Sequence, residues 1–197
     1  MSFNPGVVHK DKNGNERLID IGTRLLMDRI IMCTGEVTSE LAESVIAQLL
    51  YLNAEDPDKP IQMVVAGPGG SVTAGLAIID TMKAINCPIS TIVTGEVASM
   101  DAVIALSGTK GLRKIMPHAR YMLHSVSSGM QANIHDMKIT LEEVNRLQDI
   151  LMDMISKATG KPLKIVKKDC ERDFWMSAEE AIKYGVADCI TKQYTTV

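Results

Sequence analysis

Apolar positions in this chain fall into two kinds of pattern. The runs Arg29-Ile-Ile-Met-Cys33, Ile61-Gln-Met-Val-Val-Ala66 and Ile89-Ser-Thr-Ile-Val-Thr94 are almost continuously apolar or β-branched and are short. They read as strands covered on both faces. Between them the apolar residues recur in threes and fours. Leu41, Val45, Leu49 and Leu52 follow a cap at Thr38 or Ser39 and predict a helix to about residue 54, broken by Asp56-Pro-Asp-Lys-Pro60. A second helix is predicted over 71–85, between the tight turn Gly67-Pro-Gly-Gly70 and Asn86-Cys-Pro88. Strands beginning at 29, 61 and 89 have the spacing of parallel crossover units, which makes the chain an α/β protein.

The flanks carry weaker signals. Asn13-Gly14 is a hairpin turn, with Val7-Val8 and Leu18-Ile19 as its arms; the other reading of residues 1–18 is a frayed terminus. A short helix is expected over 21–28. The third run meets a turn signal at Gly95, and after Ser99 the residues Ala102, Val103, Ala105 and Leu106 continue as an apolar helix stopped by Gly108. Two short strands near 113–116 and 120–124 follow, then the small-residue, extended stretch 125–131. Asn133 caps a long helix to about Ala158, closed by Gly160-Lys-Pro162. Its stripe Ile134, Met137, Leu141, Val144, Leu147, Leu151, Met154 and Ala158 is widened by Ile139, Ile150, Met152 and Ile155. A helix this apolar is either deeply buried or meets a second surface, and a subunit contact is the preferred reading. Residues 163–169 read as a short helix. Ser177-Ala-Glu-Glu180 is a capping box opening a helix to Tyr184, and 186–191 is a last strand.

Composition narrows the function classes. With 197 residues the chain is one domain, or one with an appendage, and 46% apolar against 23% charged residues is ordinary for a globular protein. A net charge of −3 without a basic run argues against a nucleic-acid surface. No apolar run has membrane-spanning length and the first residues have no signal core. Cys33, Cys87, Cys170 and Cys189 show no paired metal spacing, and three lie in or beside apolar segments, as buried thiols of a reducing compartment do. The expectation is a cytosolic protein without a metal.

Ser99 stands where a strand turns into a helix, beside helix amides that have no partner inside the helix. That is one way to set a nucleophile next to an oxyanion hole; helix capping is the plainer role. A nucleophilic serine needs a base. His9, His118 and His135 lie in polar settings, whereas His124 ends an apolar strand. An orienting carboxylate is sought at Asp169, Glu171 or Asp173, in a segment that also reads as a solvated loop.

Taken together, the segments Pro-Gly-Gly-Ser-Val-Thr-Ala-Gly at 68–75, Ile-Asp-Thr-Met at 79–82, Ala-Ser-Met at 98–100, Ser-Gly-Thr-Lys-Gly at 107–111, Ala-Arg-Tyr-Met-Leu-His at 119–124 and Glu-Arg-Asp with Met-Ser-Ala-Glu-Glu-Ala at 171–181 resemble the ClpP family of caseinolytic serine proteases. The resemblance runs from about Leu18 to Thr191. It implies a crotonase-like ββα spiral, a single domain over 1–197, and two stacked seven-membered rings around a proteolytic chamber. It makes Ser99 the nucleophile, His124 the base and Asp173 its orienting carboxylate, with the Gly70 and Met100 amides as the oxyanion hole. Residues 1–18 would line an axial pore. Residues 125–160 would be a handle joining the rings, and Glu171 and Arg172 would be ring-to-ring contacts. Polypeptides would be the substrates, an ATP-dependent Clp unfoldase the partner, and no cofactor is required.

Four departures stand out. Ala66-Gly67 replaces the family's Asn-Ser, and Asp101 replaces a glycine. Ser125-Val126 replaces Gln-Pro. Gln62, Val64 and Ala84 stand where the family docks its unfoldase on aromatics. The leading expectation is a serine endopeptidase. Its rivals are a non-catalytic ClpP-like subunit that co-assembles with an active paralogue, and an acyl-CoA-binding enzyme on the same spiral fold.

Overall fold

The computed structural model describes residues 5–10, 12–127, 129 and 133–194. The hairpin expected at the amino terminus is formed. β1 (Gly6–Lys10) and β2 (Glu16–Asp20) pair antiparallel, with Val7 opposite Ile19 and Val8 opposite Leu18, and Gly14 takes a left-handed φ of 84° in the turn. The expected pore arm also includes 1–4 and 11, which lie outside the described residues. Asp20 then caps α1 (Ile21–Met27) by accepting from the Thr23 amide.

A seven-stranded sheet organises the rest. Its path is β3 (Ile30–Thr34), β4 (Ile61–Gly67), β5 (Ile89–Ala98), β6 (Lys114–Ile115) and β9 (Cys189–Ile190), all parallel. Two further strands, β7 (Arg120–Leu123) and β8 (Phe174–Met176), extend it from β5; β7 runs parallel to β5 and β8 antiparallel to β7. The crossover helices are α2 (Ser39–Glu55) and α3 (Val72–Ala84), capped by the side chains of Thr38 and Ser71. The helix α4 (Ser99–Leu106) is buried along its length after Ser99. Helix α5 (Ile134–Thr159) begins at Asn133 and ends at Gly160 with a φ of 73°; α6 (Leu163–Asp169) and α7 (Ala178–Tyr184) follow, α7 opening with the expected capping box.

Two elements differ from the sequence expectation. The strand expected to end at Thr94 continues to Ala98 as β5. Opposite β4, Val65 pairs with Val93 but Gly67 pairs with Val97, so β5 carries two extra residues in a bulge at Gly95, whose φ is 62°. Glycine there bends the strand without ending it. The segment around Asp173 contains the strand β8, too short and too flanked by charge to show an alternation.

Two arginines secure the frame. Arg29, itself at a φ of 61°, donates to the carbonyls of Leu52 and Asp56, which close α2, and to those of Lys59 and Pro60. It thereby satisfies helix-end acceptors with a positive charge, which the helix dipole favours. Arg113, 6% exposed at its side chain, forms a two-pronged ion pair with Asp188, at 2.5 Å and 3.0 Å, while the Gly111 and Arg113 amides donate to the same carboxylate. Burial by itself would raise the Asp188 carboxyl; the Arg113 bonds outweigh it and hold it below its usual range. The stripe of α5 divides. Leu151, Met152 and Ile155 are buried, whereas Ile134, Met137, Ile139, Leu141 and Ile150 are exposed, so only the carboxyl-terminal half packs on this chain's own core. Cys33, Cys87 and Cys170 are buried and Cys189 is exposed.

Asp188→Asn removes one partner of a buried pair. It is expected to cost about 3 kcal/mol, measured as the shift in urea midpoint at pH 7. The wild-type chain should also lose stability on acidification, because a carboxylate held below its ordinary pKa stabilises the fold only while it is ionised.

Candidate active site

The sheet register gathers the expected site residues at the ends of three neighbouring strands. Ala98 of β5 lies opposite Met122 of β7, and Leu123 of β7 lies opposite Phe174 of β8. One residue beyond these pairs come Ser99, His124 and Asp173. His124 Nδ1 is 3.6 Å from Asp173 Oδ1, with the two side chains 22% and 63% exposed. This is an ion-pair distance rather than a hydrogen bond, a looseness common in unliganded sites. Of the other carboxylate candidates, Asp169 accepts the Tyr184 hydroxyl at 3.0 Å and Glu171 is exposed, as is the neighbouring Arg172. His118 and His135 are exposed too.

Ser99 is not the helix cap. Ala98 occupies that position with extended backbone, and Ser99 is the first residue of α4 at a φ of 54°, with no side-chain capping bond. A serine in the left-handed region costs about 1–2 kcal/mol. It persists because β5 is paired as far as Ala98 and Met100 to Leu106 are buried. The result is a sharp strand-to-helix turn with the serine side chain at its apex, partly exposed.

The glycine turn 67–70 packs against this apex. A Cβ on Gly69 would lie 2.5 Å from Ser99 Cβ and 3.0 Å from the Met100 nitrogen. Gly70, at a φ of 149°, bridges Val37: the Val37 amide donates to Gly69 O, and the Ser71 amide donates to Val37 O. In such a bridge the Gly70 amide faces away from Val37 and takes no part. Met100 is itself held by Gly75 of α3, where a Cβ would meet Met100 Cγ at 2.3 Å. Gly70 and Met100 are thus the residues that follow, in sequence, the two that meet in the close approach of Gly69 and Ser99.

Sequence reasoning noted Asp101 but not what it does. Its side chain is fully buried; Oδ2 accepts from the Gly69 amide at 2.7 Å, and Oδ1 has no partner among the described residues. Burial raises its pKa to about 6, against the opposing Gly69 hydrogen bond, and burial together with the Asp101 charge pushes the Cys33 thiol up to about 12. The available signal was one acid inside an otherwise apolar helix. The stretch after His124 is also tied down. Ser125 donates to Cys170 O at 2.8 Å, and the Val126 amide donates to Gln148 Oε1 at 2.6 Å. Positions 128, 130 and 131 of the expected extended stretch lie outside the described residues. Among the described residues no three His, Cys, Asp or Glu side chains are placed to hold a metal ion, and no helix is long and apolar enough to cross a membrane.

A carboxyl raised from 3.8 to about 6 binds its proton more tightly in the folded chain than in the unfolded one. Folding stability attributable to Asp101 therefore falls as pH rises from about 4 to 6, by ~3 kcal/mol in all. Asp101→Asn keeps an acceptor without the charge. It is expected to raise the Tm at pH 7.5, with the gain shrinking to nothing near pH 4, as read by thermal scans across that range.

Comparison with known proteins agrees with this architecture. The family model described as Clp protease matches residues 13–194. The ATP-dependent Clp protease proteolytic subunit 2 of Chlamydia pneumoniae is 45% identical over 188 residues, covering 95% of this chain and 92% of that protein. A match over nearly the whole length, with the α/β sheet and strand-end site described above, makes this chain a member of the Clp protease family.

Proposed function

We propose that the chain is a serine endopeptidase of the Clp system in which Ser99, His124 and Asp173 carry out acyl transfer. The observation that carries the reading is the strained Ser99 apex next to the strand ends that place His124 Nδ1 3.6 Å from Asp173 Oδ1. In this mechanism His124 takes the Ser99 proton as the hydroxyl attacks a peptide carbonyl. The Gly70 and Met100 amides hold the oxyanion, and His124 then protonates the leaving amine. Water, activated by the same imidazole, releases the acyl-enzyme. Asp173 orients the imidazole and stabilises its charged form.

Family membership supports assembly of the subunit with a Clp ATPase that delivers polypeptides, and the cytosol as its place of action. The exposed apolar half of α5 supports a contact between rings, with the exposed Glu171 and Arg172 beside Asp173 joining it. The hairpin of β1 and β2 supports a pore lining. Docking of the ATPase differs in chemistry from the aromatic pocket of relatives: Gln62 is buried without a partner for either side-chain polar atom among the described residues.

A fluorophosphonate probe applied to the purified chain is expected to label it, with labelling abolished in Ser99→Ala. An assembled but unlabelled wild type, labelled only after a paralogous subunit is added and only on that subunit, would replace this reading with a non-catalytic role. Ile139→Glu combined with Leu141→Glu is expected to shift the chain to a smaller species in sedimentation velocity without lowering the Tm of the single subunit. Unchanged sedimentation would remove α5 from the interface.

A further inference from the structure

Of the departures in this chain, the buried acid in α4 has a geometry that points to a task. Asp101 follows Met100, and the residue it binds, Gly69, precedes Gly70. The 2.7 Å bond from the Gly69 amide to Asp101 Oδ2 therefore links the neighbour of one oxyanion donor to the neighbour of the other, across 32 residues of sequence. Both partners are buried, so water does not compete for this bond. The space for the carboxylate is built from the glycine turn itself: a Cβ on Gly67 would stand 2.5 Å from Asp101 Oδ2 and 2.2 Å from the Gly35 carbonyl. Around it the helix is apolar, with Ala102, Val103 and Ile104 all buried. A side chain needed only to fill volume there would be apolar as well, since a buried carboxylate with one oxygen unpartnered is costly.

We propose that Asp101 is a positioning residue of the oxyanion hole, fastening the glycine turn 67–70 to the first turn of α4 so that the Gly70 and Met100 amides converge on one oxygen. The proposal deepens the reading of Ser99 as nucleophile and rests on it. Asp101 touches neither substrate nor the reacting atoms. It acts through Gly69, and what it supplies is an acceptor at a fixed place. The side chain that preserves this function is therefore asparagine, while leucine, of similar volume, and alanine both abolish it.

The test compares Asp101→Leu, Asp101→Ala and Asp101→Asn in the full chain, by fluorophosphonate labelling rate and by kcat and KM on a fluorogenic peptide. Amide exchange at Gly69 is read by mass spectrometry with electron-transfer fragmentation. Loss of the acceptor is expected to lower labelling rate and kcat by roughly tenfold to a hundredfold, a fraction of what removal of an oxyanion donor costs, with KM little changed. Gly69 exchange should accelerate to that of an open loop, and Asp101→Asn should restore both to within about threefold of wild type. Wild-type rates in folded Asp101→Leu or Asp101→Ala would overturn the proposal. So would an Asp101→Asn chain as slow as they are, which would assign the effect to charge. If the wild type takes no label, the nucleophile reading fails on its own, and the exchange measurement still decides the link. A Gly69 amide that exchanges freely in the wild-type chain overturns the proposal whichever variants fold.

Discussion

Everything at the candidate site hangs on the pairing of one strand. β5 gives one edge to β4 and divides the other between two partners, β6 at Ile92 and Val93 and β7 at Glu96 to Ala98. A strand cannot serve both without a change of course, and the bulge at Gly95 supplies it. The second half of β5 then points Ala98 and Ser99 at the edge where β7 and β8 end. Helix α4 cannot drift from that position, because the core closes around Met100 to Leu106 and the buried Tyr121 hydroxyl donates to the Ala102 carbonyl.

The strain at Ser99 and the burial of Asp101 are local costs within this frame. Each would be relieved if α4 shifted or the glycine turn opened, and both movements are blocked by packing: Gly75 against Met100, Gly69 against Ser99, Gly70 against Val37. Groups that are unfavourable in isolation and over-determined by their surroundings mark places where chemistry rather than stability set the sequence. Arg113 with Asp188 and Arg29 with the end of α2 are of the other kind, well partnered and set at the amino-terminal starts of β3, β6 and β9.

Most of the frame was legible because its signals are local. Continuous apolar runs mark β3 and β4. Thr38, Asn133 and Ser177 cap helices as the sequence suggests, and Ser71, expected to begin a helix, caps it. Ser99, His124 and the segment of Asp173 were found as chemistry-bearing residues at element ends. What escaped depends on contacts distant in sequence. The continuation of β5 past Gly95 is stabilised by β7, and β8 exists only because β7 offers it an edge. The bond by which the Tyr184 hydroxyl occupies Asp169 also joins residues of separate elements. The bond between Asp101 and Gly69 has no periodicity at all. The stripe on α5 was visible, but not that its two halves would part company, since period alone does not tell core from partner.

The distribution of thiols has a practical side. Cys33 and Cys170 are wholly buried and Cys87 nearly so, whereas Cys189 sits exposed at the edge strand β9, far in sequence from Ser99 and His124. The native chain thus presents a single attachment point for a maleimide dye or spin label. A fluorophore placed there would report on rotation, subunit exchange and distance between copies with no engineered residue, leaving serine-directed probes free to report on the site.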